Sequence, residues 1–248
     1  MLYLAAAFFA AALLYASVGY GGGSTYSALL ALSGVDYRLL PAIALACNIV
    51  VVAGGTIRFA RARLTPWRGA LVLTAIGAPA AFLGGLTPIG KSAFLSLLGA
   101  SLVLTALTML LPLRERHWEG NAQSRPAGGW MPVLAAPLGY LAGLVGIGGG
   151  IFLAPLLHLA GWNSARAIAA TASLFILVNS LFGLAGQLLK GGADRLASAV
   201  TLGLPLLVAV ALGGQIGSLL AARLLPPRWI RWLTAALTLG VGARLLAG

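Results

Sequence analysis

The chain has 248 residues, of which 60% are hydrophobic and only 8% charged, and its formal net charge is +12. That is far too little polar surface to coat a water-soluble globule of this length, so the composition points to a protein embedded in lipid. The excess of Lys and Arg does not imply a nucleic-acid partner, because these cations sit in short loops between apolar runs, the pattern of positive-inside orientation.

The first apolar run, residues 2–18, has no Lys or Arg, and none precedes Arg38. It lacks the charged start of a signal peptide and is expected to be part of the mature structure. Gly19-Tyr20-Gly21-Gly22-Gly23 follows, and after it a short apolar run at 24–33. Residues 39–57, 70–86 and 93–111 come next, each near the roughly 17 to 25 residues that cross a bilayer. Residues 113–129 form the one sustained polar segment, with Arg114, Glu115, Arg116, His117, Glu119 and Arg125, and read as a linker. Beyond it the order recurs: an apolar run at 131–145, the cluster Gly146-Ile147-Gly148-Gly149-Gly150, a short run at 151–160, then long runs at 165–189, 196–222 and 230–245. As helices, the short runs rise only about 15 Å, half the hydrocarbon thickness.

Gly21 and Gly148 are 127 residues apart, about half the chain. Paired breaks at matching places in two halves point to a binding site between repeats. The expected organisation is a first membrane repeat at 1–112, a cytoplasmic linker at 113–129 and a second repeat at 130–248. The loops holding Arg58, Arg61, Arg63 and Arg68, the linker, and the loop holding Arg223, Arg228 and Arg231 are placed in the cytoplasm by their cations. Simple alternation of eight spans cannot put all three on one side. If each glycine-bearing stretch dips in and returns, the conflict disappears. The expected fold is therefore an all-α integral membrane protein of two homologous halves, inverted relative to each other. Each half is a glycine-broken re-entrant hairpin plus three transmembrane helices.

Several chemistries find little support. Gly85-Leu86-Thr87-Pro88-Ile89-Gly90-Lys91-Ser92 fits the phosphate-loop pattern, but that motif needs a preceding strand and an acidic magnesium partner. The only acids in the chain are Asp36, Glu115, Glu119 and Asp194, all in predicted loops or at span ends. Cys47 is the single cysteine, and His158 the one histidine outside the linker, so no metal set or hydrolytic dyad is expected. No enzyme activity and no cofactor is anticipated. The pairs Gly139 with Gly143 and Gly213 with Gly217 read as close helix packing.

What the glycine clusters offer is an anion site, because a helix beginning after a break exposes free N–H groups and the positive end of its dipole. Gly21, Gly22, Gly23, Gly148, Gly149 and Gly150 would supply backbone donors, with Ser24 and Thr25 adding hydroxyls in the first half only. Polar residues inside apolar spans need partners in lipid and face the bundle interior. Asn48, Thr171, Ser173, Asn179, Gln187 and Gln215 are the candidates. Asn48 and Ser173 occupy similar places in the two halves and are expected to converge with both hairpin tips on one anion. The bland alternatives are close helix approach for the glycines and interhelical hydrogen bonding for the polar residues.

The run from Gly146 to Leu157, with Pro155 inside it, then Gly161 and Ala169-Ala170-Thr171-Ala172-Ser173, resembles the repeat signature of the TauE/SafE sulfite exporter family. The first half repeats it at Gly19 to Gly23, Leu29-Leu30, Gly34 and Ala46-Cys47-Asn48, departing at Ala28 where the second half has Pro155. The resemblance implies a multi-pass protein of the bacterial inner membrane that moves sulfite, an organosulfonate such as sulfoacetate, or a related sulfur anion. Its partners are then a small anion and the bilayer. Without an intramembrane carboxylate for ion coupling, export down the membrane potential is the expected mechanism, at about 2.3 kcal/mol per charge per 100 mV. An uptake permease, a passive anion channel and, with poor ligand supply, a nickel or cobalt carrier are the competing readings.

Overall fold

The computed structural model describes residues 1–18, 21–110, 130–220 and 227–247, and among these it is wholly helical. The first half comprises α1 (Leu2–Val18), α2 (Gly23–Leu32), α3 (Leu40–Arg61), α4 (Trp67–Leu86) and α5 (Lys91–Leu110). The second comprises α6 (Met131–Val145), α7 (Gly150–Leu159), α8 (Ala165–Gly192), α9 (Ala197–Gly217) and α10 (Pro227–Ala247). Helical bonding continues from α8 towards α9 across Gly192, whose φ of 69° and ψ of 178° break the run in two. Among the described residues, α3, α4, α5, α8 and α9 are long and apolar enough to cross a membrane. The linker expected at 113–129 lies outside the described residues. The phosphate-loop pattern at 85–92 falls at the end of α4, a loop and the start of α5, with no strand before it.

Glycine positions the long helices. A β-carbon on Gly139 would strike the Gly77 carbonyl, and one on Gly143 the Ala81 carbonyl, so α6 lies along α4 in parallel register. Gly213 and Gly217 meet the carbonyls of Phe9 and Leu13 in the same way and seat α9 along α1. In an apolar solvent, helix association rests on such close backbone approach, which only small residues permit. Both predicted GxxxG pairs are thus packing seats, and both dock a second-half helix on a first-half one.

The remaining registers follow from the same contacts. Gly203 lies by Ile43 and Gly214 by Val51, making α3 parallel to α9. Gly77 lies by Phe175 and Gly85 by Gly183, making α4 parallel to α8. By contrast, Gly183 approaches Leu45 while Thr56 hydrogen-bonds Ser173 at 2.8 Å, so α3 and α8 cross antiparallel. Gly99 with Leu246, and Gly242 with Val103, make α5 and α10 antiparallel too. Exchanging the two halves maps this set of pairings onto itself.

Filling a seat should cost the fold more than a comparable change elsewhere. Gly143→Leu should lower thermal stability in detergent by about 1–3 kcal/mol or prevent recovery of folded protein. Gly240→Ala, where nothing lies within 4 Å of the added carbon, should not. Fluorescence-detected thermal unfolding of the two variants makes the comparison.

Candidate functional site

The two glycine clusters end one helix and start another, but they need glycine for different reasons. In the second, Gly146, Gly148 and Gly149 have φ of 85°, 83° and 75°, left-handed conformations that cost other L-residues about 1–2 kcal/mol each. In the first, Gly22 caps α2 at an ordinary φ of −89°, and closeness is the constraint. A β-carbon on Gly23 would strike Asn48 Nδ2 and come within 2.6 Å of the Ile147 carbonyl; one on Gly21 would lie 2.8 Å from Asn48 Oδ1. The tips of the two breaks therefore touch.

Asn48 on α3 and Ile176 on α8 fill the space between them. Asn48 borders Gly21 and Gly23 of the first break and Gly148 of the second, while Ile176 borders Gly148 and Gly150 of the second and Gly21 of the first. The two side chains are thus counterparts under exchange of the halves, one an amide and the other a hydrocarbon. Asn48 is completely buried, and neither its oxygen nor its nitrogen has a partner among the described residues. An unbonded buried amide costs about 1–3 kcal/mol, a penalty that native structures avoid unless water or a ligand supplies the bonds.

The same asymmetry runs along the short helices. In α2 the sequence after the break is Ser24-Thr25-Tyr26-Ser27, all buried; in α7 it is Ile151-Phe152-Leu153-Ala154. Thr25 Oγ1 is bonded to the Tyr15 hydroxyl at 2.8 Å, but Ser24 Oγ, Ser27 Oγ and the Tyr26 hydroxyl find no partner among the described residues. The first N–H groups of α2, on Gly23, Ser24 and Thr25, likewise meet no acceptor there. In α7 two of the three equivalent donors are used internally, Gly150 N–H to Gly148 O at 3.0 Å and Phe152 N–H to Gly149 O at 3.1 Å, while Leu153 N–H to Gly149 O at 3.2 Å repeats Tyr26 N–H to Gly22 O at 2.8 Å. Donor capacity for an anion is concentrated on the first break.

The other predicted residues are spread more widely. Ser173 lies at the α3–α8 crossing, held by Thr56 beside Gly55, and not at the breaks, so the expected pairing of Asn48 with Ser173 gives way to Asn48 with Ile176. Thr171 donates to Ala167 O of its own helix at 2.9 Å. Asn179 is buried and unbonded among the described residues, and its oxygen faces Gly77 of α4. Gln215 is exposed, near Gly54. Gln187 ties α8 to the end of α6 by donating to Gly143 O at 2.9 Å. Ser180 was not anticipated: it is buried, unbonded among the described residues and next to Gly148, on the turn of α8 after Ile176. Only the register of α8 against the second break could have revealed it. Cys47 is buried beside Asn48, and His158 sits half-buried in the last turn of α7.

An all-helical bundle of membrane-length apolar helices, closed around two touching helix breaks and a buried unbonded amide, defines a multi-pass membrane protein with an internal polar site. The chain belongs to the TauE/SafE family: the model described as "Sulfite exporter TauE/SafE" matches residues 3–245. It is 36% identical over 245 residues to the "Probable membrane transporter protein y4hK" of Sinorhizobium fredii, covering 98% of this chain and 97% of that one. Two proteins called "Probable membrane transporter protein MamO", from Magnetospirillum gryphiswaldense and Paramagnetospirillum magneticum, are 24% and 26% identical over 262 residues, and the match spans 41% of their length. No solved structure is significantly similar. The protein is thus a membrane transporter of this family.

If the Asn48 amide is kept for a ligand, removing it should not destabilise the protein. Asn48→Leu, nearly isosteric, should leave thermal stability unchanged or higher, because it deletes an unbonded polar group, while abolishing saturable transport. Ser173→Ala, which breaks a made bond, should lower stability by about 1 kcal/mol and leave substrate affinity intact. Melting temperatures and transport KM for both variants separate the two roles.

Proposed function

We propose that the protein exports a small sulfur-containing oxyanion, sulfite or an organosulfonate such as sulfoacetate, by alternating access. The carrying observation is the Asn48 amide, buried without a partner where the two glycine breaks meet. Together with the open N–H groups and Ser24 hydroxyl of α2, it supplies neutral donors and a dipole end to an oxyanion, with no buried Lys or Arg among the described residues to trap it. The family's description as sulfite exporters supports the sulfur anion.

In this reading the halves are inverted repeats and each break is the tip of a re-entrant hairpin. Two registers support it. The counterpart helices α3 and α8 run antiparallel, and α1 and α3 both run parallel to α9, so that α2 between them must turn back. The same holds for α6 and α8 on either side of α7. The ends of α3 and α5 that carry Arg61 and lead into the linker then share the cytoplasmic side of the inner membrane. Carrier rather than channel action is favoured by the close fit of Asn48, Ile176 and both breaks, which must part for an anion to pass.

Flux into and out of proteoliposomes at set membrane potential tests this directly. Saturable, voltage-dependent movement of sulfite or a small sulfonate, without movement of nickel or cobalt, is expected; metal flux alone would overturn the reading. Ile176→Asn, which makes both faces of the site amides, should shift preference by about tenfold from sulfonates with an organic substituent towards bare oxyanions such as sulfite, through one added hydrogen bond. Competition assays against a labelled substrate would measure it.

A further inference from the structure

A cavity of about 310 Å³ opens at the end of the bundle where α3 and α5 begin and α4, α6 and α8 end. Its lining includes Tyr37, Arg38, Pro41, Leu144, Gln187 and Lys190. Three helix C-termini would make such a mouth negative, since each carries unbonded carbonyls and the negative end of its dipole. Here carbonyls at the ends of α6 and α4 are covered. Gln187 Nε2 donates to Gly143 O at 2.9 Å and approaches Leu144 O at 3.5 Å, and Lys190 Nζ donates to Thr87 O at 3.2 Å. Arg38, exposed, is held over the Tyr37 ring and donates from Nε to its hydroxyl at 3.3 Å. Asp36, the acid nearest Arg38 in the sequence, bonds the Arg38 backbone N–H and does not line the cavity.

The wall of the cavity adjoins the second break. Pro41, on the wall, packs on Gly146, which opens the second break, and Asn48 lies two helical turns further along α3, about 10 Å away. We propose that this cavity is an anion-selecting vestibule. Arg38 and Lys190 concentrate small soluble oxyanions at its mouth, and Gln187 and Lys190 cover carbonyls at the ends of α6 and α4 that would otherwise favour cations. This rests on the transport reading for what lies below the vestibule, but its charge selectivity does not. A groove lined by one sign of charge raises the local concentration and arrival rate of the opposite sign.

The test reads the potential without any transport. Ile89→Cys, or Pro88→Cys if the first does not fold, places a thiol in the lining. The native chain, whose Cys47 is buried, is the unreactive control. Each protein, in detergent or in zwitterionic nanodiscs, is treated with anionic 2-sulfonatoethyl or cationic 2-trimethylammonioethyl methanethiosulfonate. Relative to a free thiol, the anionic reagent should be favoured by about tenfold, and Arg38→Gln with Lys190→Gln should abolish the preference. Arg38→Lys should keep it. No preference, or a preference for the cation, would overturn the proposal. So would loss of reactivity on adding anionic lipid together with no protection by soluble methanesulfonate, which would make the cavity a lipid headgroup seat. The mouth lies at the end of α3 opposite Arg61, the outer face in the proposed orientation. In flux assays the double variant should therefore raise KM for substrate offered on that face more than it lowers kcat, and should leave KM for export from the Arg61 side unchanged. A charge preference without any sulfur-anion flux would fail the transport reading alone, and flux without a charge preference would fail the vestibule alone.

Discussion

In lipid no water is at hand for backbone groups, so a helix can be interrupted only where something else meets its freed N–H and C=O groups. The fold is arranged around that requirement. Its two interruptions are placed tip to tip, with the Ile147 carbonyl of one against Gly23 of the other and Asn48 between them. The antiparallel crossing of α3 and α8 encloses the pair, and the glycine seats on α6 and α9 hold the outer arms close enough to keep lipid away. Glycine therefore does two jobs. At the breaks it permits left-handed turns or contact with a side chain; on the long helices it permits contact between backbones.

Near-symmetry makes the departures from it informative. Both halves supply a ten-residue helix after the break and a long helix whose side chain reaches the opposite tip. Yet the first break offers Asn48, Ser24 and open N–H groups, and the second Ile176, Ile151, the Ser180 hydroxyl and a first turn in which Gly150 N–H and Phe152 N–H are already used. A symmetrical site would hold a bare oxyanion equally from both sides. This one has more donors on one side and more hydrocarbon on the other, which on the proposed reading would suit an anion with an uncharged flank.

Much of this was legible in the chain. Glycine clusters inside apolar runs mark the breaks, because nothing else in such a run would interrupt a helix, and the expected short helix at 24–33 is α2 within a residue. The partner of Asn48 was not legible. Counting from the start of the long helices, Leu40 and Ala165, pairs Asn48 with Ser173, whereas the 127-residue spacing of the glycine clusters leads to Phe175. The two counts differ because the stretch between the short and the long helix is longer in the first half. The geometry matches it to Ile176, an apolar residue with no sequence signal of a site. Ser180 was hidden for the same reason: its role depends on which turn of α8 lies against Gly148. The Arg38 and Lys190 mouth was hidden by distance, since its two cations lie far apart in sequence and resemble ordinary loop charges.

The division of charge between mouth and interior has a physical logic for a carrier. A full cation at depth would pay a desolvation cost of several kcal/mol and would hold a bound anion by an attraction that the low-dielectric interior magnifies, so release would be slow. At the exposed mouth the same charge is screened by water and salt, strong enough to gather anions and weak enough to let them go. Neutral donors and a helix dipole at depth replace an anion's hydration without fixing it there. At this end of the bundle the formal charges lie at the surface, with Arg38 exposed and Lys190 half-buried, and Asn48, Ser24 and backbone N–H groups are left for the interior. On the proposed reading, such a site would bind strongly enough to strip water and weakly enough to turn over, which is what transport along a gradient would require of it.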